Sequence, residues 1–102
     1  MIYIKIHDTE NGKILAMCDE ELLGKVLSEG KRELDLNKYS SFYKGELVDE
    51  QEAKERIEDI EIYSANAVGQ NSVNVLKSRM DISEGEVKII EGIPFVQIYT
   101  LI

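Results

Sequence analysis

Residues 2–18 constrain the fold more than any other stretch of this chain. Ile2-Tyr3-Ile4-Lys5-Ile6 alternates apolar and polar positions, which places the three isoleucines on one face of a half-buried strand. Asn11-Gly12 follows, a pair that tolerates positive φ and is a strong short-range hairpin signal. Residues 13–18 then return antiparallel to the first strand. They are apolar on both faces, so this second strand is expected inside the sheet.

The chain changes direction within Ala16-Met17-Cys18-Asp19-Glu20-Glu21-Leu22-Leu23-Gly24-Lys25. Asp19 or Cys18 is expected to cap a short helix over residues 20–25, with acids at the positive end of its dipole. Residues 32–36 alternate again and suggest a short edge strand, and residues 38–45 a loop rich in aromatics. Asp49 with Glu52 makes a capping box for a helix running to about residue 59, with Ala53, Ile57 and Ile60 as its apolar stripe. Residues 60–64 fit a strand. Residues 69–80 fit a second helix, with Val73, Leu76 and Met80 on one face and Asn66 as a source of its cap. Residues 87–90 and 94–102 flank Glu91-Gly92 as a terminal hairpin. Its last strand is apolar on both faces and expected to be central, with Pro94 at its first residue, where a missing N–H does least harm. The expected architecture is therefore α+β: a mainly antiparallel sheet with two main helices packed on one face plus a short helical turn.

The 102 residues imply a single domain over residues 1–102. The N-terminus lacks a basic start, a long apolar run and a cleavage site, and no apolar run approaches bilayer length, so a cytoplasmic protein without membrane contact is expected. Net charge is −8, and residues 46–61 hold eight acids against two bases, which is −6 of that total. Such a balance argues against non-specific nucleic-acid binding, which needs clustered Lys and Arg. It leaves room for a local contact elsewhere.

Cys18 is the only cysteine and His7 the only histidine. A thiol at a strand-to-helix junction suggests a nucleophile, but Asp19, Glu20 and Glu21 would raise its pKa. A lone cysteine after an apolar strand is more often a small buried hydrophobe. The same three acids lack metal-ligand spacing, because adjacent helical residues do not converge; first-turn capping explains them, and no metal or cofactor is expected. The acids of residues 52–59 fit a solvated helix face that suits a basic partner. Tyr39, Phe42 and Tyr43 lie between Lys38 and Lys44, an interleaving that serves base stacking or protein hot spots. Plugging the edge of the core explains the aromatics equally well. Ser64-Ala65-Asn66-Ala67-Val68-Gly69 is a small-residue segment entering a helix, where backbone N–H groups can hold an anion. It lacks the glycine spacing and the lysine of a phosphate loop.

Four blocks, residues 18–25, 42–46, 66–69 and 92–97, together resemble an archaeal family of small proteins known as domain of unknown function 424. The resemblance covers nearly the whole chain and implies a small cytosolic α+β protein without an assigned activity. The family often carries His where Phe95 stands, which speaks against a histidine-dependent role here. The function expected is a non-enzymatic interaction module, associated with translation or another RNA–protein assembly, acting as a monomer or homodimer. Its partner would be a protein or a ribonucleoprotein. The candidate contact residues are Cys18, Asp19, Glu20, Lys25, Phe42, Tyr43, Lys44, Asn66 and Gly69. The alternative is a small-ligand-binding protein or enzyme with a site around Cys18 and Asn66.

Overall fold

The computed structural model describes residues 1–99. The opening hairpin forms as β1 (Ile2–Thr9) and β2 (Gly12–Asp19), paired antiparallel along their full length. Glu10 and Asn11 make the loop, and Gly12, at φ 132°, takes the positive φ. Thr9 closes the turn: its Oγ1 donates to the Gly12 carbonyl at 2.7 Å and accepts from the Asn11 N–H at 3.2 Å.

Six strands form the main sheet, in the order β5 (Glu46–Val48), β1, β2, β6 (Ile62–Val68), β8 (Ile93–Tyr99), β7 (Lys88–Ile90). The sheet is mixed, because β2 and β6 run parallel at its centre. This corrects the expected mainly antiparallel sheet with two helices packed on one face. Strands hold 44% of the residues and helices 28%, so the sheet frames the molecule. The reason is the crossover. Helix α2 (Glu50–Ile57) carries the chain from β5 at one edge, over β1 and β2, to β6. A helix between two strands reverses the chain twice, so β6 enters in the direction of β5 and β2. Apolar alternation within a strand is the same for either pairing, so it could not show this.

Both faces of the sheet are covered. On one, Ile2, Ile4, Leu15, Met17, Ala65, Ala67 and Val96 pack against Ala53 and Ile57 of α2 and against Val73 and Leu76 of α3 (Gln70–Arg79). On the other, Ala16, Cys18, Val68 and Ile90 pack against Leu22, Leu27, Leu36 and Tyr43. The second cover is a separate two-stranded hairpin, β3 (Val26–Glu29) and β4 (Arg32–Asp35), with one helical turn, α1 (Ser40–Tyr43). Residues 32–36 are therefore not an edge strand of the main sheet, residues 38–45 are not wholly loop, and residues 20–25 keep only a 3-10 turn over Glu20–Leu22. Asp49 does cap α2, accepting the Glu52 N–H at 2.8 Å. The reciprocal half of the box is replaced by an ion pair from Glu52 to Arg56 at 3.1 Å. Strand β8 spans Ile93–Tyr99 and is flanked by β6 and β7, with Pro94 at its second position. The rest of the expected terminal strand lies outside the described residues.

The tip of the β3–β4 hairpin is tied to the β7–β8 corner. Arg32 donates to the Ile89 carbonyl at 2.6 Å, Ser28 N–H donates to Glu91 Oε2 at 2.6 Å, and Glu91 N–H donates to Glu29 Oε1 at 3.0 Å. Arg32 thereby blunts β7, an edge that carries the exposed Ile89. Losing one charge-assisted bond at a partly exposed site costs about 1 kcal/mol, so Arg32→Ala should speed amide exchange in β3 and β4 by about fivefold. Exchange in β2 and β6 should stay unchanged. Hydrogen exchange followed by NMR checks both.

Candidate functional site

Strand register decides which side chains share the face under the hairpin. Tyr3, Cys18, Val68, Phe95 and Lys88 form one row across the strands, and Lys5, Ala16, Asn66 and Gln97 form the next. His7, Ile14, Ser64 and Tyr99 form a third. The hairpin and α1 cover the first row and leave a groove of about 370 Å³ against the second. Leu34, Leu36, Tyr39, Phe42 and Tyr43 wall this groove, Asn66 and Gln97 lie opposite each other on its sheet side, and Glu33 and Asp35 line its mouth. Among the described residues neither amide side chain has a hydrogen-bond partner. An apolar groove with a few convergent polar groups is the usual form of a binding site.

The aromatic wall is held rigidly. Phe42 stacks on His7 with centroids 4.8 Å apart at 10°, and Tyr43 meets Phe42 edge-on at 5.1 Å. His7 Nε2 lies 3.0 Å from the Phe42 carbonyl; a carbonyl only accepts, so that nitrogen carries the proton. Tyr39 is 54% exposed, whereas Tyr43 is 4% exposed and belongs to the core. Asp35 fixes the start of this segment, its Oδ1 accepting from the N–H groups of Asn37 at 3.0 Å and Lys38 at 2.7 Å.

Asp19 stands at the carboxyl end of β2, next to the end of its parallel neighbour β6. It makes no cap to the 3-10 turn that follows. Its carboxylate instead caps α3, accepting from Asn71 N–H at 3.1 Å, Ser72 N–H at 2.8 Å and Ser72 Oγ at 2.8 Å. The helix N-terminus is thus filled by the chain's own anion. Asn66, expected as the cap, is inside β6. Gly69, at φ 103°, is required here because a Cβ would overlap the Asp19 carboxylate.

The sequence profile of the family described as protein of unknown function DUF424 matches residues 6–101. This chain belongs to that family. The chain is also similar to a solved structure, that of an uncharacterized conserved protein from Methanopyrus kandleri. The TM-score is 0.78 at 30% identity, covering 96% of this chain and 90% of that one. Comparison with curated proteins gives no match.

In this DUF424 protein the candidate residues other than Cys18 divide into three groups. Phe42, Tyr43 and Asn66 meet in the groove. Asp19 and Gly69 build the α3 cap. Glu20, Lys25 and Lys44 are exposed and line no part of the groove. Gln97 and Tyr39 belong to the site as well; Gln97 was legible as a polar residue alternating with Val96 and Ile98 in β8. Cys18 is buried between the sheet and Tyr43, with its Sγ 3.4 Å from the Asp19 carbonyl. Burial first, then the charges of Asp19 and Glu21, pushes its thiol from 9.0 up to about 12. Burial and the neighbouring Cys18 push Tyr43 from 10.0 up to about 12. His7, two rows away, is occupied with Phe42, so no base reaches the thiol. Among the described residues no group of three His, Cys, Asp or Glu side chains can hold a metal, and no helix is long and apolar enough to cross a membrane.

Asp19→Ala should cost about 2–4 kcal/mol, since it strands two backbone donors and a buried hydroxyl. Urea unfolding checks this, and Gly69→Ala should also be strongly destabilising. Cys18 and Tyr43 make stability depend on alkaline pH. Each holds its proton more tightly in the folded state, so their contribution is complete below about pH 9 and is lost as pH rises towards 12. The unfolding midpoint should fall across that window, and Cys18→Ala should flatten the fall between pH 9 and 10.

Proposed function

We propose that the protein is a non-enzymatic interaction module that engages its partner through the groove between the sheet and the β3–β4 hairpin, in the service of translation or another RNA–protein assembly. The observation that carries this reading is the groove itself. It combines an exposed tyrosine, a stacked aromatic wall and two amides without hydrogen-bond partners among the described residues, and the burial of Cys18 weighs against the reactive-thiol alternative. Interface anchors are commonly aromatic side chains set in pockets that exclude water. Glu33 and Asp35 along the groove support a basic partner. Proteins that bind nucleic acids carry clustered Lys and Arg, so components of RNA–protein assemblies match this acidic surface.

A small molecule is the second reading, because the groove's volume falls in the range of ligand pockets, about 300–1,000 Å³. A thermal-shift screen with small molecules addresses it directly.

Tagged protein recovered from native lysate, with and without ribonuclease, tests the leading reading. Tyr39→Ala and Gln97→Ala change exposed residues and should move the unfolding free energy by no more than about 0.5 kcal/mol. Both should deplete the same ribosomal or RNA-processing partners seen with the native chain. Equal recovery by the native and doubly changed chains would show that the groove is not the contact.

A further inference from the structure

We propose that the groove recognises an arginine side chain from an extended basic segment of the partner. The inference rests on the groove being the interaction surface and names what enters it.

Three observations converge on a guanidinium. The first is charge. Glu33 and Asp35 line the mouth, and among the described residues neither is paired with a Lys or Arg. A phosphodiester backbone entering here would meet like charge at both positions. A cation is drawn in.

The second is the aromatic wall. Tyr39 already holds a cation over its ring, with Lys38 Nζ 5.4 Å from the centroid. That geometry suits a cation over the ring face, and an incoming guanidinium takes the place of the exposed Lys38 ammonium there. Phe42, pinned by its stack on His7, offers a second surface fixed in advance of binding, which lowers the ordering cost of a guest.

The third is hydrogen bonding. Asn66 and Gln97 face the groove as cross-strand partners, and each side-chain amide carries a carbonyl oxygen able to accept. A guanidinium presents five donors in one plane and stacks on aromatic faces. It can therefore satisfy the amide oxygens along its edge and the carboxylates at the mouth while its face lies on the ring. Ammonium is a compact point charge with neither the plane nor the fork, so lysine is the poorer guest.

The test is an NMR titration of the full chain, labelled with 15N, using three probes: N-acetyl-arginine amide, its neutral isostere N-acetyl-citrulline amide, and adenosine monophosphate. The arginine probe should shift the side-chain NH2 signals of Asn66 and Gln97 and the backbone amides of Tyr39 and Phe42 in a saturable way. Citrulline should bind about tenfold more weakly, and adenosine monophosphate should not saturate. Tyr39→Ala and Glu33→Gln, both at exposed positions, should each weaken the arginine probe by about threefold or more. Equal binding of citrulline would overturn the proposal by showing that charge is not read. Tighter binding of adenosine monophosphate would assign the groove to nucleotides instead, and absence of a saturable arginine shift would also sink the idea. The two readings fail separately. Loss of native partners in Tyr39→Ala, with no arginine response, leaves the interaction module standing and removes only the guanidinium.

Discussion

The carboxylate of Asp19 is the contact on which the rest of the structure depends. It is buried, at 2% exposure, and burying a charge is tolerated only where fixed donors replace water. Three donors from the first turn of α3 do so. The bond set joins the end of β2 to the helix that follows β6, and so locks together the parallel pair at the centre of the sheet. It also dictates Gly69, since any side chain there would collide with the carboxylate. An acid in the middle of a run of acids looks ordinary in sequence. Its role appears only when the chain more than fifty residues later returns beside it.

From that anchor the two covers follow. Strand β2 is apolar on both faces because it sits between β1 and β6 with packed layers above and below. Helices α2 and α3 cover one face. The hairpin and α1 seal only part of the other, since a four-residue helix and a short hairpin cannot span six strands. The groove is what that incomplete cover leaves behind. Its polar members, Asn66 and Gln97, are cross-strand partners on the sheet side, facing the wall that holds Leu36 and Tyr43.

Much of the site was visible in pieces. The aromatic run Tyr39, Phe42 and Tyr43 stood out as a candidate, and so did Asn66, but nothing in the sequence joined them. They are joined by the sheet register, which depends on the crossover of α2. Cys18 attracted notice for its rarity, yet the structure makes it filler under Tyr43, with a thiol held protonated by burial and neighbouring acids. Gln97 escaped notice because β8 reads as apolar overall, and its single polar position has meaning only opposite Asn66. The β3–β4 hairpin escaped for a related reason. Alternation marked residues 32–36 as a strand, but β3 is only four residues long with one buried position, too little to show that the two pair as a separate hairpin.

The sequence by itself determined the opening hairpin, the existence of α2 and α3 with their apolar stripes, and membership of the DUF424 family. These are local matters, settled by alternation, by a helical apolar stripe, by an N-cap or by motif order. Only the tertiary structure decided that β2 and β6 run parallel, that the second face of the sheet is covered, and that Asp19 caps a distant helix. It alone brought the aromatics, the amides and the acid rim to one groove. The physical reason is that pairing direction and layer order arise from burial between segments far apart in the chain, and one strand's pattern of apolar residues satisfies several such arrangements equally.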